Sequence, residues 1–527
     1  MRAAAIMRTS DSARSRGRVR RRLLAWGLAL ALLTVATRLP LLRLNQPIDD
    51  EVVYGVVAQT IVDGGTPYVS AVERKPPLLF YVYAIVLRVF GTDNWRALHA
   101  IEIVWILATM GGLYVIGRRL FDTSTGLIAA LLYSIFQAWS YWNNLAFNGE
   151  VLMNLPIVWA YVLGFSKPGA QRIFQMFLAG ALVAVGFLLK QPAAIALVPL
   201  ALFVVESSCR RDKRYTLSDS SRELFALVVG CATILMATIG WLLSQGLLGE
   251  AFYWTITDHA VPRFYWDKGI ENTLAFVTFC LPITAGAWLS VCSGLWNGKR
   301  SERNALIGLV MVSLVGAGSS GRFYPHYYIA AIPPCALLAA PWLAQLWRAE
   351  GRQRRFVYAT QGWLAATVVV FAAAHIHGLS RQPTVSETGH YLITHSAAND
   401  RIFVWGQATR IYVDAHRRPA SRYVATFPLT GLIFGAPRQA DGAPAPDTRA
   451  RIVPGSWDHL REDFAAHEPA FIVDTESTPG SRYPVRQFPA LEQLLATDYE
   501  PVAHTAEGIV YKRDSSKKLQ LAALHWP

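Results

Sequence analysis

The chain has 527 residues, of which 53% are apolar and 16% are charged, and its mean hydropathy is +0.27. Soluble domains usually contain about 25% charged residues, and a single soluble core stops growing beyond roughly 250–300 residues. These values exclude one water-soluble core, and they also exclude a collagen, a coiled coil, a secreted disulfide scaffold and a disordered tail. Apolar runs of membrane-crossing length recur up to about residue 378, so the sequence predicts a polytopic membrane protein.

Much of the formal net charge of +14 lies near the N-terminus, where residues 2–22 contain eight arginines and one aspartate. An arginine-rich arm can bind nucleic acid. Directly before a spanning segment it more often anchors the chain on the cytoplasmic side, by the positive-inside rule. The apolar segment 23–44 is too long for the core of a signal peptide and is expected to remain as the first spanning helix. We therefore expect no nucleic-acid partner.

Eleven segments are predicted as spanning helices because each is apolar over roughly the 17 to 25 residues that a membrane requires. They are residues 23–44, 97–116, 124–142, 150–165, 173–189, 191–207, 223–245, 273–295, 304–320, 326–347 and 356–378. The apolar segment 77–90 has only 14 residues and is predicted to lie in the membrane interface. The predicted cytoplasmic side then carries 24 lysines and arginines, and the outer loops carry eight. This charge bias predicts a cytoplasmic N-terminus and a C-terminus on the outer side of the membrane.

The region after the last predicted span has no long apolar run and is predicted as a small α/β domain on the outer face. Its β-like runs are 401–405, 470–473 and 508–512, and its helix-like runs are 456–466 and 490–497. A stretch rich in glycine, alanine and proline, 435–455, is predicted as a loop. The predicted domains are thus a basic arm (1–22), a transmembrane domain (23–380) with an outer loop at 45–96, and an outer domain (381–527).

The cysteines give no support to a metal site or to thiol chemistry. All five lie in or beside apolar segments, none follows Cys335, and there is no Cys-x-x-Cys pair. We therefore expect no metal and no cofactor.

The first outer loop carries the most informative polar residues. Asp49, Asp50 and Glu51 follow the first span directly, and Tyr54 comes three residues later. Acidic residues favour helix starts, so a solvated helix N-terminus is one interpretation. The other is a general base at the membrane surface, because a carboxylate there can deprotonate a hydroxyl or an amine. Further along, Lys75 is either an interface anchor or a binder of a lipid phosphate at headgroup depth.

Further polar residues occur in other loops that the topology places on the same face. They are Glu150, Lys190, Arg322, His326 and Tyr327. Glu150 could simply favour the start of a helix, and the aromatic residues nearby suit a membrane-interface belt as well as a sugar. Basic and acidic groups that share one face are harder to explain as anchors, because charge near the membrane is costly. We therefore include all five as candidate substrate-binding residues.

The motifs in these loops together resemble those of a known group of membrane enzymes. The likeness rests on Asp50-Glu51-x-x-Tyr54, Gly64/Gly65, Tyr68, Lys75-Pro76-Pro77-Leu78 and Tyr81, then Asn148-x-Glu150, Lys190-Gln191-Pro192 and Arg322-Phe-Tyr-Pro-His326-Tyr327. These motifs, over about residues 38–345, resemble the polytopic glycosyltransferases of the GT-C fold. The resemblance is closest to the dolichyl-phosphate-mannose protein mannosyltransferase-like group, which includes the lipid A aminoarabinose transferases.

The resemblance implies a mainly α polytopic protein that transfers a sugar from a polyprenyl-phosphate donor with inversion at the anomeric centre. It implies that Asp50 or Glu51 deprotonates the acceptor, and the residues leave open which of the two does so. It also implies that Lys75 binds the donor phosphate, with Arg322 and His326 as helpers. Many relatives have Asp at the position of Glu150. Some enzymes of this fold hold a metal between acidic loops, but the second loop here offers a single carboxylate, so we expect none.

The leading hypothesis is an inverting glycosyltransferase that moves a sugar from undecaprenyl phosphate to a lipid or protein acceptor outside the cell. Its partners would be the donor, the acceptor and membrane lipids. The alternative is a transporter or flippase of a lipid-linked sugar, which predicts ionisable residues near the membrane midplane and broken helices in corresponding halves. A third hypothesis, a surface receptor, would give the charged groups of the first loop no task.

Overall fold

The computed structural model describes most of the chain, and its backbone is mainly helical. The described residues are 2–139, 145–167, 169–210, 217–259, 264–381, 385–431, 448–476, 483–517, 519 and 521. They divide into two compact units, each built from discontinuous segments. Unit 1 comprises Met1–Asn45, Trp95–Trp241 and His259–Arg381, and unit 2 comprises Gln46–Asn94, Leu242–Asp258 and Gln382–Pro527.

The described part of the chain forms twenty α-helices and five strands. The helices up to the C-terminal region are α1 Arg2–Arg43, α2 Asp50–Val62, α3 Pro77–Phe90, α4 Trp95–Leu120, α5 Thr123–Phe136, α6 Gly149–Gly164, α7 Arg172–Leu189, α8 Leu197–Arg210, α9 Leu217–Ser244, α10 Leu248–Thr255, α11 Trp266–Phe279, α12 Leu281–Cys292, α13 Arg300–Gly318, α14 Ile332–Trp347 and α15 Arg354–Ser380. The later elements are α16 Glu387–His395, β1 Arg401–Trp405, α17 Arg410–Ala415, β2 Arg418–Pro419, α18 Phe427–Thr430, α19 Ser456–His467, β3 Phe471–Asp474, α20 Pro489–Asp498, β4 Tyr499–His504 and β5 Ile509–Arg513.

Unit 1 is a bundle of apolar helices. Small residues bring its backbones together: a Cβ added at Gly180 of α7 would collide with the Leu227 carbonyl of α9, and one at Gly230 of α9 would collide with the Phe177 carbonyl. Close approach through small residues is the usual way in which helices associate in a membrane. The bundle also buries polar groups, since the Arg38 and Glu102 side chains are fully buried and their Nε and Oε1 atoms are 3.3 Å apart.

Helices occupy every position at which the sequence predicts a span, but their lengths differ. Within the described residues, seven helices are long and apolar enough to cross a membrane, or eight if the bent pair α11 and α12 counts as one span. The pair is bent by 79° at Cys280. Helices α5 and α6 have only 14 and 16 residues. The structure therefore confirms a multi-pass helical protein without fixing the predicted number of eleven spans.

Two further sequence predictions concern the segment 77–90 and the loops between helices. The segment 77–90 forms a single helix, α3, that begins at a pair of prolines and ends before Gly91. A proline in the first turn favours this start because its missing N–H would be unsatisfied there anyway. By contrast, three segments lie outside the described residues: 140–144 between α5 and α6, 211–216 between α8 and α9, and most of the predicted loop 435–455.

The described residues of unit 2 form one five-stranded sheet, with strand order β2-β1-β3-β5-β4. β1 is parallel to β2 and β3, whereas β5 is antiparallel to β3 and β4. The central strands β1 and β3 are buried almost throughout, which explains their continuous apolar sequences. The predicted strands near 401–405, 470–473 and 508–512 and the two predicted helices of this region are present, so the α/β prediction is confirmed.

Unit 2 is assembled from three segments that are distant in the chain. The Val72 N–H donates to the Arg422 carbonyl at 2.9 Å, which ties the loop before α3 to the C-terminal region. Arg418 Nε lies 2.8 Å from Asp63 Oδ2, at the end of α2. Arg410 also donates to the Gln46 side-chain amide oxygen at 2.7 Å. Such contacts between residues far apart in the chain leave no periodic pattern in the sequence.

Candidate active site

The two adjacent carboxylates at the N-terminus of α2, Asp50 and Glu51, have different surroundings. Glu51 is fully buried, and its Oε2 accepts the Ile48 N–H at 3.0 Å. It thereby satisfies a backbone donor at the helix start, as in a capping box. Asp49 precedes the helix with a φ of 49°, which turns the chain into α2. Asp50 remains partly exposed, so it is the member of the pair that a substrate can reach.

Tyr54 brings Asp50 and Lys75 together. The Tyr54 O–H donates to Asp50 Oδ2 at 2.9 Å, and Lys75 Nζ lies 5.9 Å from the centre of the Tyr54 ring. The ring is buried and packs edge-on against Tyr83 at 5.6 Å between centroids. Its position is therefore fixed by packing, and it holds a carboxylate at its hydroxyl while a cation approaches its ring. These three residues, predicted from the sequence, form one cluster in unit 2.

Tyr68 fixes the backbone at Lys75 through a hydrogen bond. The Tyr68 O–H donates to the Lys75 carbonyl at 2.7 Å, and Tyr68 itself has a φ of 70°. A positive φ is uncommon for a residue with a side chain, and such conformations cluster at functional sites. Burial, with a smaller contribution from the charge of Glu73, raises the pKa of Tyr68 well above its usual value. The phenol therefore stays protonated and keeps donating to Lys75.

Lys75 and its neighbour Arg74 have different surroundings. Lys75 Nζ lies 3.7 Å from Glu73 Oε1, and only 17% of its side chain is exposed. Arg74 forms an ion pair with Asp258, and its guanidinium carbon lies 4.2 Å from the centre of the Phe427 ring. Arg74 thus joins three segments of unit 2, and its charge is already compensated. The adjacent residues Glu73-Arg74-Lys75 indicate from the sequence that Glu73 could contact Lys75. No local pattern in the sequence indicates that Arg74 contacts Asp258.

In unit 1, Glu150 and Lys190 form a buried ion pair. Lys190 Nζ donates to Glu150 Oε1 and also lies 4.5 Å from the centre of the Tyr327 ring. Gly149 permits this arrangement, because a Cβ there would come within 2.7 Å of Lys190 Cδ. Breaking a buried pair leaves an uncompensated charge, so the two residues depend on each other. The sequence predicted both as substrate-binding residues but not their pairing.

His326 and Tyr327 belong to an aromatic group before α14. The His326 ring stacks on Tyr324 with centroids 5.6 Å apart and meets Tyr327 edge-on at 4.7 Å. Arg322 comes before this group, after a turn in which the Tyr265 N–H donates to the Gly321 carbonyl at 2.8 Å. Lys190, His326 and Tyr327 are therefore in contact, directly or through one another. The remaining candidate in unit 1, Arg322, is partly exposed.

The nine candidate residues thus fall into two groups, one in each unit. Unit 2 holds Asp50, Glu51, Tyr54 and Lys75, and unit 1 holds Glu150, Lys190, Arg322, His326 and Tyr327. Within the described residues, no three His, Cys, Asp or Glu side chains are placed to hold a metal ion together. The unit 2 group places the Asp50 carboxylate and the Lys75 ammonium in contact with Tyr54, and the unit 1 group places aromatic rings beside a buried ion pair.

Comparisons with known proteins place the fold. A sequence profile described as dolichyl-phosphate-mannose-protein mannosyltransferase matches residues 74–241. The structure is similar to that of ArnT from Cupriavidus metallidurans bound to undecaprenyl phosphate, with a TM-score of 0.59 and 15% identity over 94% of this chain and 98% of that chain. The chain has the GT-C fold of polytopic glycosyltransferases. This confirms the fold predicted from the outer-loop motifs.

The GT-C fold is also shared with an oligosaccharyltransferase. The archaeal enzyme AglB from Archaeoglobus fulgidus, in complex with an inhibitory peptide and a dolichol-phosphate, has a TM-score of 0.51 and 13% identity. That similarity covers 86% of this chain and 69% of AglB. No curated protein shows a significant match to the sequence. The family profile includes Lys75, Glu150 and Lys190 but begins after Asp50.

Proposed function

We propose that this protein is an inverting glycosyltransferase that moves a sugar from a polyprenyl-phosphate donor, such as undecaprenyl phosphate, to a lipid or protein acceptor. The observation that carries the proposal is the cluster in which Asp50 and Lys75 share Tyr54. The GT-C fold supports the class of reaction. The names of the similar structures support the donor class, since ArnT is described with undecaprenyl phosphate and AglB with dolichol-phosphate.

In this proposal Asp50 is the base. Its carboxylate takes the proton of the acceptor as the acceptor's oxygen or nitrogen forms a bond to the anomeric carbon, from the side opposite the phosphate. The Tyr54 hydroxyl orients the carboxylate through the 2.9 Å hydrogen bond. Glu51 is unsuited to this role because its buried side chain already accepts a backbone N–H. A positioned base of this kind contributes about 10²–10⁴-fold to a rate.

Lys75 assists the departure of the donor lipid. As the bond between the anomeric carbon and the phosphate oxygen breaks, the electron pair and the negative charge remain on the polyprenyl phosphate. A fixed ammonium beside that phosphate lowers the barrier because it is already in place when the charge develops. Tyr68 supports the role by fixing the Lys75 carbonyl, and thus the point from which the side chain extends.

The unit 1 group is proposed to bind the donor as well. The rings of His326 and Tyr327 suit the apolar face of a sugar, and the guanidinium of Arg322 suits a phosphate. The ion pair between Glu150 and Lys190 would keep the ammonium of Lys190 against Tyr327 and so set the position of that ring. Here the ion pair acts through Tyr327, whereas Lys75 acts on the phosphate.

The proposed location is a bacterial inner membrane, with the N-terminus in the cytoplasm and unit 2 outside. The charge distribution of the loops supports this orientation. The make-up of unit 2 supports the same orientation, because the predicted topology leaves nearly all of its three segments outside. A polyprenyl-phosphate sugar facing outwards would then meet its acceptor on the same side.

The test compares envelope glycolipids and glycoproteins by mass spectrometry in a deletion strain and in complemented strains. We expect one sugar modification to disappear in the deletion strain, to return with the wild-type chain and to stay absent with Asp50→Asn at equal membrane abundance. Restoration by Asp50→Asn would overturn the assignment of the base. Purified protein that moves a labelled lipid-linked sugar across liposome membranes, yet transfers no sugar, would establish the transporter alternative instead.

A further inference from the structure

A groove in unit 1 lies apart from the candidate residues. It has a volume of about 650 Å³ and runs between α12, α14 and α15. Most of its wall is apolar, with the large side chains Leu289, Trp342, Leu346, Phe356 and Trp363. The volume falls within the ~300–1,000 Å³ typical of small-molecule sites. The groove is therefore large enough for part of a lipid.

The length of the groove matches one leaflet of a bilayer. Its lining extends from Leu281 to Ser293 on the α12 side and from Gln353 to Trp363 on the α15 side. At 1.5 Å per helical residue, these stretches measure about 18 and 15 Å. Half of a bilayer's hydrocarbon core is about 15 Å. Because these helices belong to apolar segments of membrane-crossing character, a lipid chain is the occupant that this wall fits.

One end of the groove is polar and positively charged. Gln345 and Gln353 line it there, and the exposed side chains of Arg352, Arg354 and Arg355 lie beside them in the chain. The Arg355 guanidinium carbon is 4.8 Å from the centre of the Phe356 ring, which forms part of the wall. Arg354 and Arg355 begin α15, and Arg352 lies in the turn just before it, so their charge lies where a headgroup would sit above an acyl chain in the groove.

We propose that this groove binds an anionic phospholipid of the bilayer. One acyl chain lies along the apolar wall, and the phosphate lies near Arg352, Arg354 and Arg355. Basic sites between spanning helices are a recurrent way of holding anionic lipids. A zwitterionic lipid would fit the same wall, but it lacks the net negative charge that the three guanidinium groups attract. The site is separate from the proposed donor site and does not depend on the transfer reaction.

Trp342 and Trp363 allow the proposal to be tested in the full-length protein. The protein is placed in nanodiscs of phosphatidylcholine and titrated with brominated phosphatidylglycerol or brominated phosphatidylcholine. Subtracting the signal of a W342F/W363F variant isolates the quenching of the two groove tryptophans. We expect half-maximal quenching by phosphatidylglycerol at a mole fraction roughly tenfold lower than by phosphatidylcholine, given three basic groups at the surface. Equal quenching by the two lipids would overturn the proposal.

Two kinds of variant test the headgroup contacts and the apolar wall of the groove separately. R352Q/R354Q/R355Q should lose the preference for phosphatidylglycerol, whereas R118Q/R300Q/R303Q, which removes the same charge from the end of α4 and the start of α13, should keep it. Ala359→Phe fills part of the groove with a larger side chain and retains every arginine, so quenching by both lipids should fall. A preference that survives R352Q/R354Q/R355Q, or quenching unchanged by Ala359→Phe, would contradict the site. Displacement of phosphatidylglycerol by an equimolar polyprenyl phosphate would assign the groove to the carrier lipid and also overturn the proposal.

Discussion

At the scale of single residues, the two adjacent carboxylates of α2 make opposite predictions. Asp50→Asn should lower transfer at least about 100-fold, because it removes the proposed base but keeps an acceptor for the Tyr54 hydroxyl. Glu51→Gln should retain most of the activity, because its amide oxygen can still accept the Ile48 N–H. Transfer measured in nanodiscs, at equal amounts of monodisperse protein, distinguishes the two. Inactivity of Glu51→Gln with full activity of Asp50→Asn would reverse our assignment.

The two neighbouring cations of the same loop give the second prediction. Lys75→Met should lower kcat about 10²–10³-fold with little change in Tm, because the lost group stabilises charge that develops on the leaving phosphate. Arg74→Met should instead lower Tm, because Asp258 loses its partner and Phe427 loses its stacked guanidinium. Thermal unfolding and initial rates are measured on the same preparations. Lys75→Arg is the matched control, and a Tm loss in Lys75→Met equal to that in Arg74→Met would argue for a structural role.

At the scale of helices, a fully buried ion pair joins α1 to α4. Arg38 and Glu102 are both fully buried, so Arg38→Met and Glu102→Met should each cost about 3–5 kcal/mol by leaving one buried charge uncompensated. The double variant R38M/E102M should be more stable than either single variant, because no buried charge remains. The measurement is thermal unfolding of all three variants in one lipid. A double variant as unstable as the sum of the single variants would show that the pair is not coupled.

A second contact between elements gives a pH dependence within unit 2. His416 Nδ1 lies 2.9 Å from Asp93 Oδ1, after α3. The hydrogen bond that His416 Nδ1 donates to the Asp93 carboxylate raises the pKa of His416 above its usual value, and the same bond lowers the pKa of Asp93. The stabilisation is therefore lost as pH rises through the folded pKa of His416, and again as pH falls through that of Asp93. Both side chains are more than half exposed, so we expect less than about 1 kcal/mol.

Thermal unfolding between about pH 6 and pH 9 tests this contact. The Tm of the wild-type protein should fall slightly more over this range than that of Asp93→Asn, in which His416 loses its charged partner. An identical pH profile in Asp93→Asn would show that the contact does not contribute to stability in solution.

At the scale of the whole molecule, local patterns predicted the elements but not their partners. The apolar runs located the helices, and the run Arg401–Trp405 became β1 with the same ends. The capping role of Glu51 arises within four residues, so a capping pattern could have suggested it before the structure. The ion pair of Arg74 with Asp258 and that of Glu150 with Lys190 join residues far apart in the chain. No periodicity records such contacts, which is why the sequence identified the charges and missed their pairing.

The three chain segments that form unit 2 constrain the number of membrane crossings between them. Its segments Gln46–Asn94, Leu242–Asp258 and Gln382–Pro527 pack on one another, so they lie on one side of the membrane, and an even number of crossings must separate each from the next. Between Asp258 and Gln382, the bent pair as one span, Pro325–Trp347 and Gly351–Ser380 give three. If the bent pair crosses the membrane once, an even number requires a fourth crossing, and α13, with 19 residues, is the described helix of suitable length between these two segments. Hence α13 should cross, although it is not among the seven helices selected by length and hydropathy.

Cysteine accessibility tests this conclusion without assuming the absolute orientation. In a variant with the native cysteines replaced, Asn297→Cys and Ser319→Cys place a thiol at exposed positions before and after α13. If α13 crosses, a membrane-impermeant maleimide applied to intact cells labels only one of the two, and the other reacts after permeabilisation. Ala398→Cys, in the C-terminal part of unit 2, should react together with Ser319→Cys, because an even number of crossings separates them. Labelling of Asn297→Cys and Ser319→Cys from the same side would mean that α13 does not span, and the segments of unit 2 could then share one face only if another of the helices after α10 crossed or turned back differently.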